Sequence, residues 1–193
     1  LLRSEADVLR GLRHDKLVRV RELLRLEKAL PPPWSMPKGA GLLIEERAEG
    51  RPADEVYESF APTKRAERLA LLALDVAEVL AELHRQPLVH GDIKPANLLV
   101  DDDGKLVALI DFSAASPPMQ NAHTLMGTPG FIAPEAMLGR RSPQGDLYAL
   151  GRTLEQLAGG AALPSKVQEL LASLSEKTPA LRPSDAADFA ESL

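Results

Sequence analysis

The sequence contains no cysteine, and this absence excludes a disulfide framework and a thiolate metal site. It has no excess of basic residues either, since the formal net charge of −5 argues against a general affinity for nucleic acid or for an anionic membrane. No apolar run is long enough to cross a bilayer, and no signal-peptide pattern is present. Because a chain without cysteine suits a reducing compartment, we expect a cytoplasmic protein.

The sequence does have the composition of an ordinary globular protein. Its 193 residues are 45% apolar and 26% charged, which suffices for one domain, or one large lobe of a two-lobed protein, with a buried core. The usage of alanine, leucine and arginine is compatible with a bacterial source. Because the chain begins with leucine instead of methionine, we expect it to be truncated at its N-terminus.

The chain opens with a helical pattern. Residues 1–17 place Glu5, Leu9 and Leu12 on one helical face, and Gly11 weakens the pattern only slightly. A carboxylate on an otherwise apolar stripe is unusual. By residue type alone, the favoured interpretation is a glutamate at the helix edge that extends to solvent.

Two strands and a hinge are predicted next. Residues 17–24 alternate as a strand does, and residues 41–46 predict a short buried strand that ends at Glu45. The proline-rich stretch between them, 29–41, predicts a loop. Residues 47–52 (RAEGRP) carry turn residues and are the best candidate for a hinge.

The remaining chain predicts a long helix, a β-hairpin and further helices. The helix runs from Thr63, its predicted N-cap, to Arg85, and Pro87 follows its end. Strands 97–100 and 106–110 are joined by DDDGK, whose Asp-Gly pair is typical of a hairpin turn. Its three aspartates favour a solvated turn over a metal site. Further helical patterns lie at 135–139, 146–158, 165–174 and 184–193.

Residues 90–99 (HGDIKPANLL) combine the side chains that phosphoryl transfer needs. That reaction requires a carboxylate to orient the attacking hydroxyl, magnesium held by oxygen atoms, and positive charge near the transferred group. Asp92, Lys94 and Asn97 lie on this stretch, and Asp111 ends the second hairpin strand. A hairpin returns the chain to its start, so Asp111 comes back near Asn97. The alternative is a loop without chemistry, since D-x-K-x-x-N alone is a weak signal. Coupled to two strands and a terminal aspartate, the signal is strong.

Several motifs, in order along the chain, resemble those of eukaryotic-like serine/threonine protein kinases. Residues 90–99 and 111–113 (DFS) resemble the catalytic loop and the metal-binding DFG element. Residues 127–135 (GTPGFIAPE) resemble the end of the activation segment, 145–151 (GDLYALG) the helix-F motif, and 181–184 (LRPS) the arginine element. The resemblance implies an α+β, protein kinase-like fold. It would have a partial small N-lobe, made of the C-helix and two strands, and a mainly helical C-lobe with a catalytic β-hairpin.

The resemblance also implies a domain division and a reaction. Residues 1–44 would form the partial N-lobe, 45–50 the hinge and 51–193 the C-lobe. The reaction would transfer the γ-phosphate of ATP, with Mg²⁺, to serine or threonine hydroxyls of a protein substrate. Lys94 and the Gly-Thr-Pro stretch resemble the serine/threonine class and not the tyrosine-specific class. The catalytic residues would be Asp92, Lys94, Asn97 and Asp111, of which Asn97 and Asp111 would also bind the metal.

Further positions take their roles from the same family. The residues implied for nucleotide binding are Ile44 as gatekeeper, Glu45 and Arg47 at the adenine edge, Leu99 beneath the adenine, and Glu5. The resemblance implies that Glu5 is the ion-pairing residue of the C-helix. This interpretation replaces that of a solvent-exposed side chain. Thr128 would contact the substrate, and Thr124 occupies a position for phosphorylation. The resemblance also implies structural roles. His90 would pack under Phe112, Asp146 would brace the backbone of the catalytic loop, and Arg182 would pair with Glu135.

The chain departs from the family at several points. The glycine-rich loop and the strand with the ATP-binding lysine should precede the C-helix, and neither occurs before Glu5. We therefore expect the chain as given to bind ATP weakly and to transfer phosphate poorly. Gly91 replaces the arginine that receives the activation-loop phosphate in the family. Ser113 replaces the glycine of DFG, which should bias that loop toward fewer conformations.

Two other functions stay open at the level of sequence. One is a pseudokinase-like binding module, which only the missing N-terminal segment favours. The other is a small-molecule phosphotransferase resembling aminoglycoside and choline kinases, in which the HGD triplet of His90 to Asp92 also occurs. Those enzymes lack the motifs at 127–135 and 145–151. The oligomeric state is left open, and His84 is interpreted only as a cation at a helix end.

Overall fold

The computed structural model describes residues 10–12, 14–33, 35–120 and 126–192. The predicted elements that it describes come in the expected order, two short elements within residues 51–58 are additional, and the fold is the expected α+β fold. The strands are β1 (Val20–Arg25), β2 (Gly41–Glu45), β3 (Arg51–Pro52), β4 (Leu98–Val100) and β5 (Leu106–Leu109). The α-helices are α1 (Ala53–Glu58), α2 (Pro62–Arg85), α3 (Pro143–Ala158), α4 (Ser165–Leu174) and α5 (Ala186–Ser192).

The predicted first helix lies mostly outside the described residues. Helical backbone is present at residues 10–11, while Glu5 and Leu9 fall in the part of the chain that is not described. Leu17, at the predicted helix end, instead forms a parallel bridge with Leu109 of β5. The predicted extension of the helix to residue 17 is therefore wrong, because backbone pairing with β5 competes successfully for this stretch.

Strands β1 and β2 form a two-stranded antiparallel sheet with Leu23 opposite Leu43. Residues 26–33 and 35–40, which lie between the two strands, have an irregular backbone, as the proline content predicts. The prediction that β2 is buried is wrong: Ile44 is 38% exposed, and the strand is half-buried or exposed along its length. Within the described residues β2 pairs only with β1, and two strands alone leave both faces partly open to solvent.

The predicted hinge leads directly into a second sheet. Residues 46–50 have no regular structure, whereas Arg51 and Pro52 form β3 and are not part of a linker. Strand β3 pairs antiparallel with β4, and β4 pairs antiparallel with β5, with Leu98 opposite Leu109. The candidate functional loop and Asp111 both adjoin the same end of this β4–β5 hairpin.

The turn between β4 and β5 is a solvated aspartate turn, as predicted. Asp101 Oδ1 accepts hydrogen bonds from the backbone amides of Asp103 at 3.0 Å and Lys105 at 2.9 Å. Gly104 has a φ of +78°, and an added Cβ there would lie 2.8 Å from the ring of Phe60. The aspartates and the glycine therefore shape the turn.

Helix α1 was not predicted from the sequence. Its first turn carries Asp54 and Glu55, which suit a helix N-terminus, but six residues are too few to show a helical period. Tertiary packing stabilises it, because Val56 is fully buried and the Tyr57 hydroxyl lies 3.1 Å from the Gly104 carbonyl oxygen. Helix α1 thus packs against the hairpin turn and stabilises it.

Helix α2 is the central element of the fold. It begins at Pro62, whose fixed φ suits the first helical position, with Ala61 as its N-cap. The prediction of Thr63 as the N-cap is therefore wrong, while the end at Arg85, before Pro87, is as predicted. Its apolar stripe packs against α3, α5 and β5, and each fully buried leucine contributes about 1.5–3 kcal/mol. The buried residues are Leu69, Leu72, Ala73, Val76, Ala77, Val79, Leu80 and Leu83.

The remaining helices match the predicted helical stretches. Helix α3 packs against both α2 and α4, and α5 packs against α2. The stretch EAMLG forms a single 3₁₀ turn, Ala136–Leu138, and not an α-helix. In the described ranges, no helix combines the length and the apolar composition that a membrane crossing requires.

Candidate active site

The candidate site is built on the loop 89–97, between α2 and β4. The backbone amides of His90 and Gly91 donate hydrogen bonds to the Asp146 carboxylate, each at 2.8 Å. Asp146 lies in the first turn of α3 and is 1% exposed. At the other end of the loop, the 3₁₀ turn Pro95–Asn97 continues directly into β4. Helix α3 and strand β4 therefore hold the loop from both sides.

His84 also contributes to this support, a role that its position in the sequence does not predict. It lies in the last turn of α2, and its Nε2 is 3.1 Å from Asp146 Oδ2. Its Nδ1 is buried without a hydrogen-bond partner among the described residues. The interpretation of His84 as only a helix-end cation is incomplete, because the side chain also contacts Asp146. Burial would raise the pKa of Asp146, but hydrogen bonding and positive charge from His84, with smaller contributions from the loop, hold that pKa below its usual value. The contact depends on how α2 packs on α3, which no local pattern encodes.

Asp92 lies at the centre of the loop with partners on both carboxylate oxygens. Its Oδ2 accepts a hydrogen bond from Lys94 Nζ at 2.7 Å, and its Oδ1 accepts one from Thr128 Oγ1 at 2.7 Å. Lys94 Nζ also lies 2.8 Å from Thr128 Oγ1, so carboxylate, ammonium and hydroxyl form a closed triangle. The structure thus brings together three of the predicted site residues. Thr124, the other threonine predicted for this segment, lies outside the described residues.

The charge state of Asp92 suits a group that accepts a proton. Partial burial would raise the pKa of this carboxyl, but hydrogen bonds from Lys94 and Thr128 outweigh burial and hold the pKa below its usual value. The carboxylate is therefore ionised at neutral pH. An ionised carboxylate within 2.7 Å of a hydroxyl can orient that hydroxyl and accept its proton.

Asn97 and Asp111 lie at the same end of the hairpin. The Ile110 amide donates a hydrogen bond to the Asn97 carbonyl at 3.0 Å, so Asp111 follows directly beside Asn97. The Asn97 amide group donates from Nδ2 to the Asp92 carbonyl at 2.8 Å, which leaves its Oδ1 as the ligand for a cation. Asp111 has a φ of +65°, and its Oδ1 accepts a hydrogen bond from Ser113 Oγ at 2.6 Å.

These two side chains fit a magnesium ion that also binds phosphate and water better than they fit a metal ion bound by protein ligands alone. In the part of the chain that the structure describes, no group of three or more histidine, aspartate or glutamate side chains could hold a metal. Mg²⁺ usually takes one or two protein oxygens and completes its shell with phosphate and water. One carboxylate from Asp111 and one amide oxygen from Asn97 match that requirement.

His90 packs beneath the residue that follows Asp111. Its ring lies 4.7 Å from that of Phe112 at an interplanar angle of 68°, and both side chains are almost completely buried. The His90 Nε2 is 3.3 Å from the Ile110 carbonyl oxygen. Burial lowers the pKa of His90 against the opposing charge of Asp146, so the ring is neutral in the folded protein. His90 and Phe112 join the loop to the segment after β5.

We expect this buried histidine to make the protein less stable in acid. The unfolded chain binds a proton at His90 near pH 6.5, whereas the folded chain resists protonation. The stabilisation is therefore complete above that pH and is lost as the pH falls. Between about pH 6.5 and about pH 5 the wild type should lose up to about 2 kcal/mol more than His90→Phe. Urea unfolding of both proteins at the two pH values measures this difference, and equal losses would contradict it.

Glu135 and Arg182 form a buried bidentate ion pair. Arg182 Nη1 lies 2.6 Å from Glu135 Oε1, and Nη2 lies 2.9 Å from Oε2. The guanidinium also donates to the carbonyl oxygens of Gln144 at 2.7 Å and Glu176 at 2.6 Å, and it lies 4.9 Å from the Tyr148 ring. The pair therefore joins the end of the 126–135 segment to α3 and to the turn before α5.

Three of the residues predicted for nucleotide binding lie on strands of two different sheets, and Glu5 is outside the described residues. Leu99 is half-buried on β4, with Pro52 of β3 on one side and Ala108 of β5 on the other. Ile44 and Glu45 end β2 of the other sheet. The exposed Arg47 lies in the irregular segment between the sheets, just beyond β2.

Comparison with known proteins agrees with these observations. The sequence model described as "Protein kinase domain" matches residues 1–185. The serine/threonine-protein kinase PkaA of Streptomyces coelicolor is 33% identical over 182 residues, which cover 87% of this chain and 31% of that protein. The serine/threonine-protein kinase PknA of Mycobacterium tuberculosis is 32% identical over 186 residues, covering 78% of this chain and 42% of that protein.

A eukaryotic relative shows the same similarity. The Aurora kinase of Schizosaccharomyces pombe is 28% identical over 198 residues, which cover 97% of this chain and 52% of that protein. The chain thus spans between 31% and 52% of the length of these three relatives. The resemblance to eukaryotic-like serine/threonine protein kinases is confirmed, and the chain belongs to the protein kinase domain family.

Proposed function

We propose that this chain is the catalytic domain of a serine/threonine protein kinase that transfers the γ-phosphate of ATP to protein hydroxyls with the help of Mg²⁺. The observation that carries the proposal is the triangle of Asp92, Lys94 and Thr128, with all three distances between 2.7 and 2.8 Å. It combines an ionised base, a cation and a bound hydroxyl at one point. The names of the bacterial relatives support the choice of serine and threonine as acceptors.

The proposed mechanism divides the work among the residues of the loop and the hairpin. Asp92 accepts the hydrogen bond of the attacking hydroxyl, aligns its oxygen, and takes its proton. As the bond from that oxygen to the γ-phosphorus forms, the bond from the γ-phosphorus to the bridging oxygen breaks and ADP leaves. Lys94 stabilises the negative charge that develops on the transferred group, since its Nζ already lies 2.7 Å from Asp92. Asn97 and Asp111 would hold Mg²⁺, which reduces the charge on the ATP phosphates when it is bound.

The nucleotide would lie between the two sheets, with residues 45–50 as the hinge that joins residues 1–44 to residues 51–193. Leu99 supplies an apolar surface on β4, and the backbone beyond Ile44 offers hydrogen-bonding groups to the adenine edge. Positioning and electrostatic stabilisation account for nearly all of the catalysis in phosphoryl transfer. The rate of transfer would therefore depend on how rigidly the loop 89–97 is held.

A transfer assay with three acceptors tests this proposal. Full-length protein is incubated with Mg²⁺ and γ-labelled ATP, and label is followed into a serine- and threonine-rich protein, an aminoglycoside and choline. We expect label in the protein acceptor alone. Label in a small molecule alone would favour the small-molecule phosphotransferase, and no transfer to any acceptor, including the protein itself, would favour the binding module. Either result would overturn the proposal.

Replacing Asp111 by asparagine should lower transfer by about 10²- to 10³-fold, because Asp111 is the charged member of the two proposed metal ligands, Asn97 and Asp111. The expected signature is a higher Mg²⁺ concentration for half-maximal rate, measured from initial rates across a magnesium titration. Asp102→Asn is the control, since Asp102 lies 92% exposed on the hairpin turn, paired with Arg51. An unchanged rate and magnesium dependence in Asp111→Asn would refute its assignment as a metal ligand.

A further inference from the structure

We propose that Arg141 is a positioning residue of the transfer site: its guanidinium occupies the space beside Gly91 and fastens residues 114–119 to the catalytic loop. The activity that Arg141 would support is the one proposed above, so this inference rests on that function. Arg141 lies on the segment between the 3₁₀ turn Ala136–Leu138 and α3. No motif in the sequence singled it out.

Gly91 and Arg141 are sterically dependent on each other. Gly91 has a φ of +80°, and a Cβ added to it would overlap Nη2 of Arg141 and lie 3.2 Å from the Ala114 carbonyl oxygen. A side chain at position 91 and the guanidinium therefore cannot both occupy this space. The absence of a side chain at Gly91 is what allows Arg141 to reach the catalytic loop.

Arg141 holds the segment after Asp111 at several points. Its Nη2 donates a hydrogen bond to the Ala114 carbonyl oxygen, and its Nη1 lies 3.9 Å from the sulfur of Met126. Its backbone pairs with Met119 as an antiparallel bridge, through hydrogen bonds of 2.8 Å and 3.0 Å. One residue thus contacts this segment with both its side chain and its backbone.

The fastened segment leads directly to the groups that would react. Ala114 ends the 3₁₀ turn that begins immediately after Asp111. Two residues further on, Ser116 exchanges backbone hydrogen bonds of 2.9 Å and 3.0 Å with Val89, the residue before His90. A shift of residues 114–119 would therefore move the proposed metal ligand and the start of the catalytic loop together.

The Asp146 carboxylate favours the charged form of Arg141. The guanidinium is half-buried, and burial lowers its pKa, while the Asp146 carboxylate opposes that effect. Asp146 is the same group that holds the amides of His90 and Gly91. Arginine keeps its charge in proteins, so a permanent cation lies between α3, the catalytic loop and the segment that follows Asp111.

The test compares Arg141→Ala with Arg140→Ala in the full-length protein. Arg140 is the adjacent, exposed arginine, so the two variants remove the same charge one position apart. Hydrogen–deuterium exchange should become about tenfold faster or more in Arg141→Ala alone, because a hydrogen bond from a charged donor is lost. The reporting amides are those of Ala114, Ala115, Ser116 and Met119, since residues 117 and 118 are prolines without an amide proton. Exchange within α3 beyond its first turn should stay unchanged in both variants.

Kinetics supply the second measurement. In Arg141→Ala we expect kcat to fall about tenfold or more while the KM for ATP stays within about twofold, because the reacting groups shift and the adenine contacts do not. Arg141→Lys, which keeps the charge but not the forked geometry, should recover part of the loss. If Arg141→Ala does not fold, Arg141→Lys should still show faster exchange at 114–119 than Arg140→Ala.

Wild-type exchange at residues 114–119 in the Arg141 variants, or a fall in activity equal to that of Arg140→Ala, would overturn the inference. A wild-type protein that transfers no phosphate would overturn the proposed function instead. The exchange comparison would still decide the structural part of the inference in that case, since it needs no catalysis. The two failures are therefore distinguishable.

Discussion

Replacing Asp92 by asparagine in the full-length protein is expected to lower kcat for phosphate transfer by about 10²- to 10⁴-fold while the fold is retained. An amide has nearly the same shape as a carboxylate and can still accept the hydrogen bond from Thr128. It cannot, however, take a proton from an attacking hydroxyl at neutral pH. It also leaves the Lys94 ammonium, now 2.7 Å from a carboxylate oxygen, without its counter-charge.

The matched control for this variant is Asp103→Asn. Asp103 also pairs with a lysine, Lys64 at 3.2 Å, but on the exposed hairpin turn far from the catalytic loop. Initial rates at saturating ATP and magnesium, with circular dichroism spectra of both variants, complete the measurement. Transfer at the wild-type rate in Asp92→Asn would refute the role of Asp92 as the base.

Replacing Arg182 by alanine should lower the free energy of unfolding by about 3–5 kcal/mol. The variant leaves Glu135, which is 8% exposed, as a buried carboxylate without its bidentate partner. It also leaves the carbonyl oxygens of Gln144 and Glu176 without their charged donor. Removing one member of a buried pair is costly because the other remains desolvated.

Arg152→Ala is the control, since Arg152 pairs with Glu155 on the exposed face of α3. A surface pair of this kind contributes about 0–1 kcal/mol, so this variant should unfold at nearly the wild-type urea concentration. The free energies of unfolding of the wild type, Arg182→Ala and Arg152→Ala are measured by urea titration, with far-ultraviolet circular dichroism as the signal. A loss in Arg182→Ala no larger than that in Arg152→Ala would show that the buried pair does not stabilise the fold.

The hairpin and the loop before it are the parts of the molecule that the sequence predicts best, because their signals are local. The Asp-Gly pair in the turn requires a positive φ, and Gly104 has one of +78°. Strand pairing alone then places Asp111 beside Asn97. Asp92, Lys94 and Asn97 need only one short loop to come together.

Local patterns in the sequence do not predict contacts between distant elements, for which the family resemblance is the source of expectations. His84 and Asp146 are 62 positions apart, and their contact follows from the packing of α2 on α3. Helix α1 is too short for a periodic pattern, and its stability comes from burial. Whether β2 is buried depends on what covers it and not on its own apolar residues.

Arg141 shows a further limit of reasoning from motifs. The sequence shows that Gly91 stands where the family has an arginine. The cation that lies beside it comes from 50 positions later, by the numbering of the two residues. Only the three-dimensional arrangement shows that a guanidinium occupies the space that the missing side chain leaves.

The measurement that tests the central claim most directly is to identify the phosphorylated residues of a protein acceptor by mass spectrometry after incubation with Mg²⁺, ATP and the full-length protein. Wild type and Asp92→Asn are compared at equal concentration. We expect phosphoserine and phosphothreonine with the wild type and almost none with the variant. An unmodified acceptor with the wild type, or equal phosphorylation by Asp92→Asn, would contradict a transfer site centred on Asp92.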